Sequence, residues 1–275
     1  MASIVITGCS SGIGQALAFE LLQRGRQVVA TARNVAALDA LKSAGARCYA
    51  LDVTSADSLA ALKQSLADDG VVIEMLVNNA GYGAMGPLLE MSDDQLKHQF
   101  DANVFTLLAV TRALVPQMIT QGGGRVVNVG SVSGILTTPF SGAYCATKAA
   151  VHSLSDALRI ELKPFAIDVL VIQPGAIQSN FGATASAGVA QRQDQLGIYA
   201  PVADAIAARA NASQQNATPT QDFARQMADV ILAKKPVAFT RIGHGSTLLP
   251  LIQRLLPVAI RDHILAKRFA LDKPL

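Results

Sequence analysis

A glycine-rich turn, Thr-Gly-Cys-Ser-Ser-Gly-Ile-Gly from Thr7 to Gly14, stands directly between a short β-branched run and a helical pattern. The run covers residues 3–7, and the helical pattern covers residues 13–24. Glycines at such a strand-to-helix turn let the backbone approach a pyrophosphate, and the first turn of the helix supplies amide donors and the positive end of its dipole. The turn therefore predicts a parallel α/β sheet with a phosphate site at its first helix.

Strands and helices alternate from this turn onward through residue 172. The helix that begins after Ser92 carries Gln95 at the position of a capping box. Short β-branched runs separated by helical patterns are typical of βαβ units. We therefore predict an α/β fold, a single doubly wound parallel sheet of the Rossmann type with helices on both faces. Strands are expected at 3–7, 27–32, 47–51, 72–77, 125–128 and 167–172, and helices at 13–24, 35–43, after a Thr54 cap, from Ser92 to the glycines at 122–124, and at 143–164.

The alternation ends near Gly175, and the rest of the chain has a different pattern. Residues 182–218 are rich in Ala, Gly, Gln and Ser with weak periodicity, which predicts a substrate lid containing short helices. With no internal repeat, we expect one domain over residues 1–275 that ends in a basic, apolar helical tail at 246–275. The last elements expected are a helix at 220–233, a strand at 237–240, and a helical tail from Thr247 broken at Pro250 and Pro257.

Composition excludes several classes of protein. Apolar residues make up 51% and charged residues 16% of the chain, so disordered, collagenous and coiled-coil chains are excluded. The three cysteines and four histidines lack the spacing of disulfide frameworks or metal sites, so no metal is expected and a reducing compartment fits. Residues 3–7 follow Met1 too closely to leave room for a signal peptide. We expect a cytoplasmic protein.

Tyr144 and Lys148, four residues apart on a predicted helix, follow Ser131 and form a second informative pattern. Side chains at i and i+4 lie on one helix face, so the ammonium can sit beside the phenol and favour the phenolate, whose usual pKa is about 10. A carbonyl that accepts a hydride develops negative charge on oxygen and needs hydrogen-bond donors and a proton there. The pattern predicts this chemistry. The alternative is a packed helix face with a snorkelling lysine.

These residues together resemble the short-chain dehydrogenase/reductase family, in its short single-domain branch, over about residues 3–182. The resemblance implies four catalytic residues: Asn103, Ser131, Tyr144 and Lys148. It also implies a nicotinamide dinucleotide site. The residues of that site would be Gly8, Ser10, Ser11, Gly12, Ile13 and Gly14 in the turn; Asp52 and Val53 after the third strand; Asn79, Ala80 and Gly81 after the fourth; Pro174, Gly175, Ile177 and Ser179 after the sixth; and Tyr144 and Lys148 themselves.

The resemblance also implies a role for each catalytic residue. Tyr144 would give the proton, and Ser131 would orient and polarise the carbonyl. Lys148 would hold the nicotinamide ribose and bias the pKa of Tyr144, while Asn103 would keep a water that relays protons to Lys148.

Two positions depart from the family pattern. Ser179 stands where Thr is frequent, and it keeps the hydroxyl. Gly130 replaces a serine that often precedes the catalytic serine, which removes a hydrogen-bonding side chain beside the site.

The end of the second strand bears on the choice of cofactor. Dinucleotide folds that use NAD place an acidic residue there on the ribose 2′-hydroxyl. This chain instead reads Thr31-Ala32-Arg33-Asn34, without an acid. The guanidinium of Arg33 is well matched to a 2′-phosphate, so NADP(H) is predicted over NAD(H). The alternative is that Arg33 is a solvated loop charge.

The C-terminal segment is both basic and apolar. Residues 234–275 hold 8 Lys+Arg against 2 Asp+Glu, whereas residues 1–233 hold 15 against 18. The apolar stretches of the tail are too short to span a bilayer, but an apolar face flanked by basic residues can lie on an anionic membrane. The alternative is that these leucines pack on the core or close the pocket. The tail also resembles that of the hydroxysteroid dehydrogenase-like and acyl dihydroxyacetone phosphate reductase-like members, which implies a lipophilic carbonyl substrate.

We therefore predict an NADP(H)-dependent oxidoreductase that reduces a carbonyl, or oxidises the alcohol, of a bulky, lipophilic small-molecule substrate, with Tyr144 as proton donor or acceptor. By resemblance it would form a homodimer or homotetramer through the helices near 93–120 and 143–164. Peripheral membrane contact is compatible with the tail, and no nucleic-acid partner is expected. Two other readings remain: a catalytically silent NADP(H)-sensing regulator on the same fold, and an epimerase or dehydratase of the extended branch, which the glycine spacing and the short C-terminal region disfavour.

Overall fold

A parallel sheet forms the centre of the protein. The computed structural model describes residues 2–191 and 196–275. Within them, seven strands pair in the order β3-β2-β1-β4-β5-β6-β7, and every pair is parallel. The strands are β1 Ser3–Ile6, β2 Gln27–Ala32, β3 Arg47–Ala50, β4 Ile73–Asn78, β5 Gly124–Val129, β6 Ile167–Pro174 and β7 Phe239–Ile242. The predicted doubly wound α/β class is confirmed.

Helices cover both faces of this sheet. They are α1 Gly12–Gln23, α2 Asp39–Ser43, α3 Ala56–Asp68, α4 Asp93–Phe100, α5 Thr106–Thr120, α6 Gly142–Glu161, α7 Asn180–Ala190, α8 Ala203–Asn211, α9 Thr220–Ile231, α10 Leu248–Leu255 and α11 Val258–Arg268. Successive strand residues point to opposite faces, so Ile4 and Ile6 pack with α1 and α9, whereas Val5 packs with α3 and α5. Strands buried on both faces read as nearly continuous apolar runs.

The chain order reverses at β1. Strands β2 and β3 lie on one side of β1, and β4 to β7 lie on the other. The crossovers therefore diverge from β1, and a crevice opens between the carboxyl ends of β1 and β4, which is where open α/β sheets bind ligands.

Several predicted boundaries needed correction. The third helix is capped by Ser55, whose hydroxyl accepts from the backbone N–H of Ser58, rather than by Thr54. Pro250 does not break the tail, because it occupies the first turn of α10, where backbone N–H groups have no intrahelical partner. Pro257 does separate α10 from α11, and β7 begins two residues later than predicted.

The predicted helix from Ser92 has the expected capping box with Gln95, but a π-helical turn at Asp101–Phe105 divides it into α4 and α5. The continuous stretch Asp93–Thr120 is long and apolar enough to cross a membrane by length and composition alone. Val110, Leu114 and Met118 pack it against the sheet. Core packing therefore accounts for its apolar composition.

The segment predicted as a lid is mostly helical where it is described. It contains most of α7 and all of α8, and the part at 192–195 lies outside the described residues. Ala185 and Ile206 of these helices pack in one apolar cluster with Tyr144 and with Phe269 of the tail. The lid and the tail thus cover the same part of the sheet edge.

Candidate active site

The crevice between the ends of β1 and β4 opens into a cavity of about 970 Å³. Its wall includes every site residue predicted from the sequence except Gly14 and Asn103. These lining residues are Gly8, Ser10, Ser11, Gly12, Ile13, Arg33, Asp52, Val53, Asn79, Ala80, Gly81, Ser131, Tyr144, Lys148, Pro174, Gly175, Ile177 and Ser179. The fold therefore gathers residues from six strand ends into one site.

The glycine turn has the shape that a phosphate group requires. Gly8 and Gly12 have φ of +74° and +59°, which side-chain-bearing residues rarely adopt. A Cβ on Gly14 would lie 2.4 Å from the carbonyl oxygen of Gly8, so this position accepts only glycine. Ser11 is the N-cap of α1, and its hydroxyl makes no capping hydrogen bond. The first-turn amides and this hydroxyl are thus available to a ligand.

Asn79 and Thr7 hold this turn against the end of β4. The Asn79 Nδ2 donates to the carbonyl oxygens of Thr7 at 2.9 Å and Gly8 at 3.1 Å. In return, the Thr7 hydroxyl accepts from the backbone N–H groups of Asn79 and Ala80, both at 3.0 Å. The side chain of Asn79 therefore positions the turn.

Asp52, after β3, and Arg33, after β2, line the cavity on the side of the sheet beyond the glycine turn. Thr54 donates its backbone N–H (2.9 Å) and its hydroxyl (2.7 Å) to Asp52. These bonds hold the pKa of Asp52 below its usual value, with a smaller contribution from the Arg33 charge. Arg33 is exposed and, among residues 2–191 and 196–275, forms no ion pair within 4 Å. Its guanidinium is available to an anion on this side.

Tyr144 and Lys148 lie in the first two turns of α6 and are both buried. The Lys148 Nζ is 5.9 Å from the centroid of the Tyr144 ring and donates to the carbonyl oxygen of Val129 at 2.8 Å. The Ser131 hydroxyl accepts from the backbone N–H of Ser133 at 3.1 Å, which leaves its own proton free to donate.

Burial dominates the protonation of this pair. It raises the pKa of Tyr144 to about 12, although hydrogen bonding from Ser131 acts in the opposite direction. Burial also lowers the pKa of Lys148 to about 8. The predicted shift towards the phenolate is therefore wrong, because burial of the phenol outweighs the Ser131 hydrogen bond and the Arg209 charge, which lower its pKa. Tyr144 is a neutral phenol near neutral pH, the form that can give a proton.

Asn103 occupies the π-helical turn and is buried, just outside the cavity wall. Its Oδ1 accepts from the backbone N–H of Tyr82 at 3.0 Å, and its Nδ2 donates to the Tyr82 carbonyl (2.9 Å) and the Thr147 hydroxyl (3.0 Å). The side chain thus ties the segment after β4 to α6. A π-helical turn in this position is a frequent mark of functional sites, and the water relay through Asn103 stays a prediction.

His152 contributes to the site, although its sequence position gave no ligand spacing. Its Nε2 accepts from the backbone N–H of Ser131 at 3.4 Å. Burial, assisted by the Lys148 charge, lowers the pKa of His152 to about 4, so it is neutral and can accept. A Cβ on Gly130 would lie 2.4 Å from this nitrogen, and one on Gly134 would lie 2.7 Å from Cε1. The departure at Gly130 therefore makes room for the imidazole, and the two glycines flanking Ser131 are the sequence signal for it.

Apolar residues line the cavity on the far side of Tyr144. The Phe181 ring lies 5.2 Å from the Tyr144 ring, centroid to centroid. Tyr82 and Met85 also line the cavity. Residues of the tail contribute as well, namely Leu249, Ile252, Leu256, Ile264, Leu265 and Phe269.

The residues present fit a nicotinamide dinucleotide. The glycine turn has no room for side chains but has donors for a pyrophosphate. Asp52 and Val53 lie two strands away, at the end of β3, and Lys148 lies beside the proton donor. No cluster of three His, Cys, Asp or Glu side chains that could hold a metal occurs in the described part of the chain.

Comparison with known proteins agrees with this geometry. Residues 2–190 match the family model described as short chain dehydrogenase. An uncharacterized oxidoreductase, YbbO, of Escherichia coli K12 is 34% identical over 264 residues, which cover 96% of this chain and 93% of YbbO. The NADPH-dependent 1-acyldihydroxyacetone phosphate reductase of Schizosaccharomyces pombe is 37% identical over 178 residues, 64% of this chain and 60% of that protein.

A solved structure extends the likeness to the whole fold. A short-chain dehydrogenase from Streptomyces avermitilis superposes with a TM-score of 0.80 at 30% identity, covering 98% of both chains. The glycine turn, the assembled Ser131, Tyr144 and Lys148, and these matches lead to one conclusion: the chain is an oxidoreductase-type member of the short-chain dehydrogenase/reductase family.

Proposed function

We propose that this protein is an NADP(H)-dependent carbonyl reductase, or alcohol dehydrogenase in the reverse direction, for a lipophilic substrate. One observation carries the proposal: a buried neutral phenol, a serine hydroxyl that hydrogen-bonds to it and a phosphate-binding glycine turn share one cavity. A silent cofactor sensor has no need of the first two.

The residues divide the work of carbonyl reduction. A bound nicotinamide dinucleotide supplies the hydride. Ser131 donates to the carbonyl oxygen and fixes its position, and Tyr144 gives that oxygen its proton as negative charge develops. Lys148, which donates to the Val129 carbonyl, would hold the nicotinamide ribose with its other donors, and its positive charge would stabilise the phenolate left on Tyr144.

Cofactor preference is proposed from Arg33. Its exposed guanidinium lies at the Asp52 end of the cavity, without an ion pair among the described residues. A 2′-phosphate would give it the bidentate partner that it lacks. The relative from Schizosaccharomyces pombe, which is named NADPH-dependent, supports this choice.

Substrate class is proposed from the cavity wall. Lid and tail residues such as Phe181, Ile264 and Phe269 give the far side of Tyr144 an apolar surface. The Schizosaccharomyces pombe relative carries in its name an acylated substrate. An acyl chain or a fused ring system would bury its apolar surface against this wall.

The tail also supports a peripheral site of action at the cytoplasmic face of a membrane. Leu248, Leu251 and Leu255 of α10 and Val258 and Ile260 of α11 are largely exposed. Their exposure supports a lipid-facing role over packing on the core. Four exposed basic residues accompany them: Arg254, Lys267, Arg268 and Lys273. Apolar and basic groups together are suited to an anionic lipid surface.

A turnover screen tests the central proposal. NADPH oxidation would be followed with ketosteroids, retinal, aliphatic ketones and acyl dihydroxyacetone phosphate, and NADH would be run in parallel. We expect turnover with at least one long-chain or steroidal carbonyl and a higher kcat/KM than with small polar ketones. Tight NADPH binding without turnover of any carbonyl would instead favour the sensor.

A further inference from the structure

Arg209 is a charged residue in an unusually enclosed place. It lies in α8 of the lid, only 9% of its surface is exposed, and it lines the same cavity as Tyr144. The sequence gives no signal for it, because it is one of two arginines in a weakly patterned segment.

Two neutral hydroxyls fix the Arg209 guanidinium. Its Nε donates to the Thr138 Oγ1 at 2.8 Å, and its Nη2 donates to the Ser141 Oγ at 2.9 Å. These two hydroxyls lie 2.9 Å apart, and Ser141 also donates to the Thr138 carbonyl at 3.0 Å. Arg209 is therefore held in one orientation by the segment that leads into α6.

The charge of Arg209 is not balanced by the part of the chain that the structure describes. No carboxylate within residues 2–191 and 196–275 lies within 4 Å of it, and its Nη1 has no hydrogen-bond acceptor among them. Burial is the main cause that lowers the pKa of Arg209. The charge of Arg268 on α11, which has the same sign, lowers this pKa further. Arg261 also lines the cavity, but it is already paired with Asp262 at 3.7 Å.

Burying a cation without a carboxylate partner is costly, and Arg209 has none among the described residues, so an anionic ligand would offset that cost. Arg209 and Tyr144 line the same cavity, and the Arg209 charge lowers the pKa of the phenol against the larger effect of burial. An anion bound at Arg209 would therefore share the cavity with the carbonyl that Tyr144 protonates. The apolar wall formed by Phe181, Ile264 and Phe269 would take the rest of the molecule.

Resting on the proposed reductase function, we propose that Arg209, oriented by Thr138 and Ser141, is an anion-binding subsite that selects amphiphilic carbonyl substrates. The substrate class is an apolar chain whose carbonyl lies near a carboxylate or a phosphate. Arg209 is thus a specificity-determining residue for this reaction.

Matched substrate pairs test the subsite in the full-length protein. One pair is 4-oxododecanoate and its methyl ester, and the other is 2-oxododecyl phosphate and 1-hydroxy-2-dodecanone. Each pair keeps the chain and the ketone and changes the anion, so the two pairs also tell a carboxylate from a phosphate. We expect the wild type to prefer the anion in at least one pair, and Arg209→Gln to lower kcat/KM for it roughly 10–100-fold, the loss of a charge-assisted hydrogen bond. The neutral member should change less than about threefold.

Three further variants separate recognition from structure. Arg209→Lys keeps the charge but loses the fork to Thr138 and Ser141, so the preference should fall partway, and it carries the test if Arg209→Gln does not fold. Thr138→Val should reduce the preference by releasing one side of the guanidinium. Arg254→Gln removes an exposed tail charge outside the cavity wall and should leave the preference unchanged.

Two results would overturn the subsite. One is an equal loss for the anionic and the neutral member, which would show that Arg209 acts on Tyr144 or on the lid. The other is a wild type without preference in either pair. Calorimetric titration with decanoate and decanol provides a readout that needs no turnover: decanoate should bind more tightly, and only in proteins that retain Arg209. If no ketone is reduced but this difference holds, the reductase proposal fails and the subsite stands.

Discussion

At the scale of single residues, desolvation sets the pKa values of the site. The phenol of Tyr144 and the ammonium of Lys148 are buried on adjacent turns of α6, and burial favours the neutral form of each. Near pH 7 the phenol keeps its proton, while the amine, with a pKa of about 8, remains mostly charged. The site therefore holds a proton donor and a cation side by side before any ligand arrives.

Replacing Tyr144 with Phe removes the proton donor and keeps the ring. We expect kcat for carbonyl reduction to fall about 10²- to 10⁴-fold, the usual contribution of acid–base assistance. The ring contact with Phe181 and the rest of the apolar cluster remain, so NADPH affinity, measured by fluorescence titration, should stay within about threefold. Near-normal turnover would remove Tyr144 from the mechanism.

Cofactor selectivity is predicted to depend on Arg33. Arg33→Ala should lower kcat/KM for NADPH roughly 10–100-fold through loss of a charge-assisted hydrogen bond, and should leave the value for NADH nearly unchanged. Steady-state kinetics with both cofactors measure the ratio, and Arg47→Ala is a control because Arg47, on β3, lies outside the cavity wall. A wild type with equal kcat/KM for the two cofactors would contradict the prediction.

His152 gives a pH-dependent prediction. Its pKa falls from 6.5 unfolded to about 4 folded, so the unfolded chain binds more protons between these values and stability is lost as pH falls from 6.5 towards 4. The loss is on the order of 2 kcal/mol. His152→Gln retains an acceptor for the Ser131 N–H but does not titrate, so its Tm should change less over this range than that of the wild type.

The matched control is His263→Gln, at an exposed position of α11. It should follow the wild-type Tm profile from pH 7 to pH 4. If His152→Gln also follows it, the imidazole is not held neutral beside Ser131.

At the scale of secondary-structure elements, the sequence predicted the helices whose bounds depend on local apolar spacing. The helix with Tyr144 was expected at 143–164 and lies at Gly142–Glu161, because its apolar spacing reports the face it buries. The π-helical turn at Asp101–Phe105 left no comparable trace, since it depends on Asn103 bonding to Tyr82 and Thr147 across the fold. Pro250 misled the prediction because a proline reads the same at the start of a helix and at a break.

The site was predictable to the extent that its residues follow strand ends in sequence. The glycine turn, Asp52 and Asn79 all do so, and the carboxyl ends of parallel strands meet at one edge. Arg209 and His152 were not predictable from spacing, because their partners lie 71 and 21 residues away and only tertiary packing unites them.

Helices α10 and α11 are predicted to bind anionic lipid. Leu251→Ser with Leu255→Ser removes two exposed apolar side chains from α10 and should abolish co-sedimentation with phosphatidylserine-containing liposomes, since each side chain contributes about 1.5–3 kcal/mol when buried. Val72→Ser should have no effect, because this exposed residue precedes β4 at the amino-terminal ends of the strands, away from the cavity. Binding of the wild type that is indifferent to the anionic lipid content would contradict the electrostatic part.

At the scale of the whole molecule, exposed apolar side chains lie on the helices predicted to pair with a second copy. Phe105 in the π-helical turn and Ile160 on α6 are 57% and 70% exposed, on the helices through which family members are expected to pair. Replacing both with Asp should convert a dimer or tetramer into a monomer in light scattering, because charges are excluded from apolar interfaces. A wild type that is monomeric at every concentration would contradict this prediction.

The apolar cluster that joins the lid, the tail and Tyr144 has a consequence for the turnover rate. In the proposed reaction, each reduction would remove one proton from a phenol that these helices bury. That proton would have to be returned before the next substrate could react. An opening of α7 and α8 that released the product would also admit solvent to reprotonate the phenol. Release of the alcohol and reprotonation of Tyr144 would then occur in the same step, and the rate of lid opening would limit both.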